Sequence, residues 1–116
     1  MGSFADAWRA QQQVVDQLVR FPNVLADTSG VRRFEYIEQA VKRAGASKLV
    51  LGSDGPWLHP GAELARIRLL KLPPEEEALI RGGNLLRILA RARKAATPEI
   101  RRVAPIVEDV DREAVL

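Results

Sequence analysis

The sequence predicts an α/β fold in which parallel strands pack among helices, and three observations carry that reading. The run Leu49-Val50-Leu51-Gly52-Ser53-Asp54-Gly55-Pro56 is short, apolar and partly β-branched before it meets a Gly-Pro break, as suits a strand buried on both faces. A second such run, Asn23-Val24-Leu25-Ala26-Asp27-Thr28, ends in Ser29-Gly30. Between the two, Phe34, Ile37, Val41 and Ala44 recur at helical spacing. Strand, helix and strand at this separation form a right-handed parallel crossover unit.

Each element follows from local signals. Phe4 to Val19 reads as a helix, because Phe4, Trp8, Gln11, Val15 and Leu18 share one face and Pro22 closes it. The crossover helix, Arg32 to Ala44, is stopped by Gly45 as a left-handed C-terminal residue. After the loop Trp57-Leu58-His59, a helix runs from about Pro60 to Leu70. Pro73 starts another at its first helical position, with Glu75, Glu76 and Glu77 near the positive end of the helix dipole. Gly82-Gly83 is expected to break it. Asn84 is then the N-cap of a last helix, Leu85 to Ala92, striped by Leu85, Ile88, Leu89 and Ala92. From Thr97 the pattern dissolves into Pro98, Pro105 and scattered charges, which reads as a poorly ordered tail with a short docking segment. The boundaries are thus 1–96 for the folded part and 97–116 for the tail.

Composition excludes several classes. At 116 residues the chain is at most one domain. It has no cysteine, hence no disulfide framework and no thiolate metal site. No apolar run reaches the roughly twenty residues of a membrane span, and no signal-peptide core is present, so no membrane association and a cytoplasmic location are expected. The net charge of +3 is unevenly spread. Arg81, Arg87, Arg91, Arg93, Lys94, Arg101 and Arg102 face Glu99 alone, whereas Glu108, Asp109, Asp111 and Glu113 oppose only Arg112. The basic block reads as the solvated face of a terminal helix. It lacks the aromatic interleaving of a nucleic-acid surface, so no nucleic-acid partner is expected.

Asp54 is the first candidate for chemistry. It stands at the carboxyl end of a buried strand, where α/β enzymes place their reactive groups. A carboxylate there is costly unless it meets a metal, a cation or several donors. The plainer alternative is an N-cap or Asx turn. Asp27 and Ser29 end the other strand and face the same side, although Asp27 equally suits a local turn. Trp57 and His59 lie in the loop beyond Asp54, as pocket-lining or simply loop-packing residues.

Taken together, Asn23 to Gly30, the helix Arg32 to Ala44, Lys48 to Pro56 and Gly83-Asn84-Leu85-Leu86-Arg87-Ile88-Leu89 resemble the C-terminal part of the amidohydrolase-related metal-dependent hydrolases. The resemblance covers roughly Met1 to Ala92, and its most specific element is Leu-Gly-Ser-Asp-Gly-Pro. It implies the C-terminal part of a (β/α)8 TIM barrel, with Asn23 to Gly30 as strand seven and the Asp54 run as strand eight. It further implies that Asp54 is a metal ligand and the base that deprotonates the attacking water. The complete enzyme would use a divalent metal, zinc first, on a small-molecule amide, lactone or related carbon centre, and similar barrels also decarboxylate. Ser29, Trp57 and His59 would then line the substrate pocket.

The family pattern also has His-x-His on strand one, Lys or Glu on strand four, and His on strands five and six. Only His59 is present here, after strand eight. The resemblance places the sixth-strand His just before Met1, so the chain is expected to be a fragment that holds no metal by itself and is inactive alone. Two apolar strands also need neighbours. The helix faces Phe4–Leu18 and Phe34–Ala44 are therefore expected to be partly unburied, and the chain to self-associate. The alternative is a non-catalytic α/β assembly module whose sheet edges pair with another chain.

Overall fold

The computed structural model describes residues 8–95, the side chain of Trp8 excepted. Helix α1 (Trp8–Arg20) leads through a turn into strand β1 (Ala26–Asp27). Helix α2 (Phe34–Ala44) and a 3₁₀ turn (Ala46–Lys48) then precede strand β2 (Leu49–Val50). Beyond β2 come α3 (Pro60–Leu69), α4 (Pro74–Ala78), a π-helical turn (Leu79–Gly83) and α5 (Asn84–Ala95). The strands pair in parallel, Ala26 opposite Leu49 and Asp27 opposite Val50. The architecture is α/β and mostly helical. The expected residues Phe4, Met1 and Gly2 and the tail 97–116 lie outside the described residues.

Helix α1 buries the face its spacing predicts, with Gln11, Val15 and Leu18 inside. It packs on α2, which buries Tyr36, Ile37 and Ala40. At the carbonyl end of α1 the Lys48 ammonium donates to Phe21 O at 2.6 Å and Pro22 O at 3.0 Å, a cation where the helix dipole favours one. Gly45, at φ 92°, ends α2 and returns its N–H to Val41 O at 2.9 Å, as expected of a left-handed terminal residue. Leu49, Ile67 and Ile80 close the core from β2, α3 and the π turn. Helices α1 and α2 pack on each other, and on the α2 face Phe34, Val41 and Ala44 are half-buried, while Phe4 and the Trp8 side chain of the α1 face lie outside the described residues.

Three local expectations are corrected. The strands are much shorter than 23–28 and 48–54, since only two residues of each enter the ladder. Leu51 N–H leaves the sheet and donates to Ile80 O at 2.9 Å. Pro74, rather than Pro73, takes the first helical position of α4. The largest change is at Gly82-Gly83, which does not break the helix. The chain widens there into the π turn and continues into α5. Asn84 is consequently inside the helical run rather than an N-cap. It is fully buried, and its Nδ2 donates to Ala46 O at 2.8 Å and Leu49 O at 2.7 Å. That amide fastens the helical layer to the start of β2, satisfying two carbonyls that water cannot reach. A glycine suits the widened turn because a Cβ at Gly83 would stand 3.3 Å from Ala78 O.

Candidate active site

The carboxyl ends of β1 and β2 are laced together by polar groups. Thr28 N–H donates to Val50 O at 3.0 Å, extending the ladder by one residue. The buried Thr28 hydroxyl accepts from Gly52 N–H at 3.3 Å and donates to Gly52 O at 3.4 Å. Gly52 must be a glycine for the strands to approach this closely. A Cβ there would lie 3.0 Å from Asp27 Oδ1 and 3.2 Å from Asp27 Cβ.

Asp27 is committed within this lacing. Its Oδ1 accepts from Ser29 N–H at 2.8 Å and also from the Ser29 hydroxyl, an Asx turn closed by a second donor. Burial works to raise its pKa and the Ser29 hydrogen bonds work to lower it; the carboxyl ends below its ordinary value.

Asp54 comes four residues after β2 in the left-handed region, φ 57°, which Asp tolerates better than most residues at some cost in strain. Its backbone carbonyl accepts from Trp57 N–H at 3.1 Å and Leu58 N–H at 3.3 Å, closing the turn through the cis Gly55-Pro56 bond. The side chain makes no hydrogen bond or ion pair with any described residue. It lines an open hollow of about 430 Å³, shared with Gly30, Val31, Trp57, Leu58, Glu63 and Arg66.

One wall of that hollow is an ion pair. Glu63 is buried, and Arg66 Nη1 meets its carboxylate at 3.0 Å. Arg66 Nη2 donates to Val31 O, tying α3 to the turn that follows β1. The pairing of a buried carboxylate with a guanidinium that also holds a backbone carbonyl offsets much of the cost of burying charge. The Glu-x-x-Arg spacing on a helical pattern was the available signal for this pair, since residues three apart meet on one helix face.

The sequence candidates are therefore distributed unevenly. Asp54 and Trp57 reach the hollow, where Trp57 is 85% exposed. Ser29 does not line it, and its hydroxyl is engaged by Asp27. His59 is the N-cap of α3, its Nδ1 accepting from Gly61 N–H at 3.0 Å, and it does not line the hollow. Among the described residues no three His, Cys, Asp or Glu side chains come together as a metal site. A catalytic zinc usually takes about three protein ligands. Asp54 fits one coordination position, and the described residues do not make up a centre.

Two parallel strands packed among helices make this an α/β protein. The amidohydrolase family model matches residues 2–91, and the chain belongs to that family. Comparison with curated proteins and with solved structures gives no match. Among the described residues no helix is long and apolar enough to cross a membrane.

Proposed function

We propose that this chain forms the C-terminal part of a (β/α)8 barrel in a metal-dependent hydrolase, with β1 and β2 as strands seven and eight. Asp54 is the residue that acts. The observation that carries the reading is its carboxylate, without a partner among the described residues and on the rim of the hollow beyond β2, in a chain of the amidohydrolase family. In this role Asp54 ligates a divalent metal, zinc first, and accepts the proton of the water that attacks an amide, lactone or related carbon centre. The metal, when bound, lowers the pKa of a coordinated water toward neutrality. The remaining ligands come from outside the described residues, which supply one carboxylate only.

Around Asp54 the chain does three things. The Thr28–Gly52 lacing fixes the strand end that carries it. The Asp54 carbonyl pins the turn that presents Trp57 and Leu58 to a small-molecule substrate. The Glu63–Arg66 pair holds the opposite wall in place.

The test is hydrolysis of a panel of amides, esters and lactones by the holoprotein containing this chain, stripped of metal and then reloaded with zinc. Metal-dependent turnover that Asp54→Asn lowers by about 10²–10⁴-fold, the span of a lost general base, supports the reading. Turnover that survives Asp54→Asn overturns it.

A further inference from the structure

Helix α5 turns its apolar residues outward. Leu86 is 68% exposed, Leu85 and Leu89 are each 50% exposed, and Ile88 is 37% exposed. The same helix carries Arg87, Arg91, Arg93 and Lys94 and no acid. An apolar strip of this size rimmed by charge is the usual form of an interaction surface. A second copy of α5 is a poor cover, because it would set guanidinium against guanidinium.

The sequence beyond Ala95 has the complementary character. Val103, Ile106, Val107, Val110 and Ala114 recur at three- and four-residue spacing, the stripe of an amphipathic helix. Glu108, Asp109, Asp111 and Glu113 flank that stripe, against the single base Arg112. This segment lies past residue 91, where the family match ends. The seven residues 96–102, with Pro98 among them, reach more than the distance required. At about 1.5 Å per helical residue the strip from Leu85 to Ala92 is only about 10 Å long, while an extended chain covers about 3.3 Å per residue.

We propose that residues 103–116 fold back on the same molecule and dock their apolar stripe on the Leu85–Leu89 face of α5, with their acids against its arginines. The segment covers a surface that would otherwise invite association, and it does so independently of the hydrolase reading.

The absence of cysteine makes the test direct. Arg91→Cys is combined in the full chain with a second cysteine at Glu108, Asp109, Asp111 or Glu113 in turn, and with Glu35→Cys as the distant control. Mild oxidation is expected to give an intramolecular disulfide in at least one of the four pairs, with a yield unchanged on tenfold dilution, and none in the control. Disulfides that are only intermolecular assign the face to a second copy and overturn the proposal, as does a yield no higher than the control. A second variant, Ile106→Asp with Val110→Asp, leaves every residue of α1 to α5 intact. It is expected to raise the fluorescence of a hydrophobic dye by at least about twofold while the helical circular dichroism of the folded part persists. Unchanged dye fluorescence contradicts the proposal even if the cysteine pairs prove poorly aligned.

Discussion

One carboxylate ends a parallel strand and a second stands four residues beyond the neighbouring strand, and the chain treats them in opposite ways. Asp27 closes β1 and is held at once by the Ser29 amide and hydroxyl, with Gly52 pressed against it. Asp54 follows β2, takes a left-handed backbone, and leaves its carboxylate unpartnered on the rim of the hollow. Asp27 has its hydrogen-bonding capacity spent inside the fold, so it shapes the strand end. Asp54 has its capacity kept open in a strained conformation, and open polar groups in strained backbone cluster where chemistry happens. The difference separates a residue committed to the fold from the one to which the proposed function assigns the chemistry.

The comparison is broken most sharply by exchanging the two losses. Asp54→Asn in the holoprotein is expected to lower turnover by about 10²–10⁴-fold. Its unfolding free energy should stay within about 0.5 kcal/mol of the parent, because no contact is lost and Asn accepts the left-handed conformation. Steady-state kinetics and urea titration on the same preparations measure both. Asn84→Ala strikes the other side of β2, removing the amide that donates to Leu49 O and Ala46 O, of which Ala46 O keeps the Leu49 N–H. It is expected to cost about 3 kcal/mol by urea titration. Gly52→Ala drives a methyl group against Asp27 and Ser29, an overpacked contact expected to cost about 2 kcal/mol.

The smallest effect concerns Asp27 and pH. Its folded pKa lies below its unfolded value of about 3.8, so as the pH falls the unfolded chain takes up its proton first. The stabilisation is complete above the unfolded pKa and is lost as the pH drops through the folded pKa. Ser29→Ala removes one of the lowering influences, the hydroxyl, and keeps the amide. It is expected to cost about 1 kcal/mol at neutral pH, and to flatten the acid limb of a stability–pH curve below about pH 4.

Much of this arrangement was legible in the sequence, and what was not has physical reasons. The buried face of α1 through Gln11, Val15 and Leu18, the stop at Gly45 and the start of α3 at Pro60 follow from periodicity and backbone chemistry that act locally. The turn at Gly55-Pro56 was legible for the same reason, but the strand was expected to run to Asp54 and ends at Val50, four residues earlier. The length of the ladder was not, since pairing depends on which partner each N–H finds, and Leu51 finds Ile80 across the chain. Nor was the continuous helix through Gly82-Gly83. Glycine's propensity argues for a break, whereas the tertiary hydrogen bonds of Asn84 to Ala46 and Leu49 favour continuation. Glu63 and Arg66 showed their spacing in the sequence, but only the fold brings Val31 O to the guanidinium.

The central claim is that Asp54, and not Asp27, is the carboxylate available to a metal. The direct measurement is a titration of the full 116-residue chain with Mn²⁺, a cation suited to carboxylate oxygen, followed by paramagnetic broadening of amide NMR signals. The account predicts weak binding that broadens the amides of Ser53 to Gly55, Trp57 and Leu58, persists in Asp27→Asn and disappears in Asp54→Asn. Broadening at residues 53–58 that survives Asp54→Asn, or that Asp27→Asn removes, would contradict it.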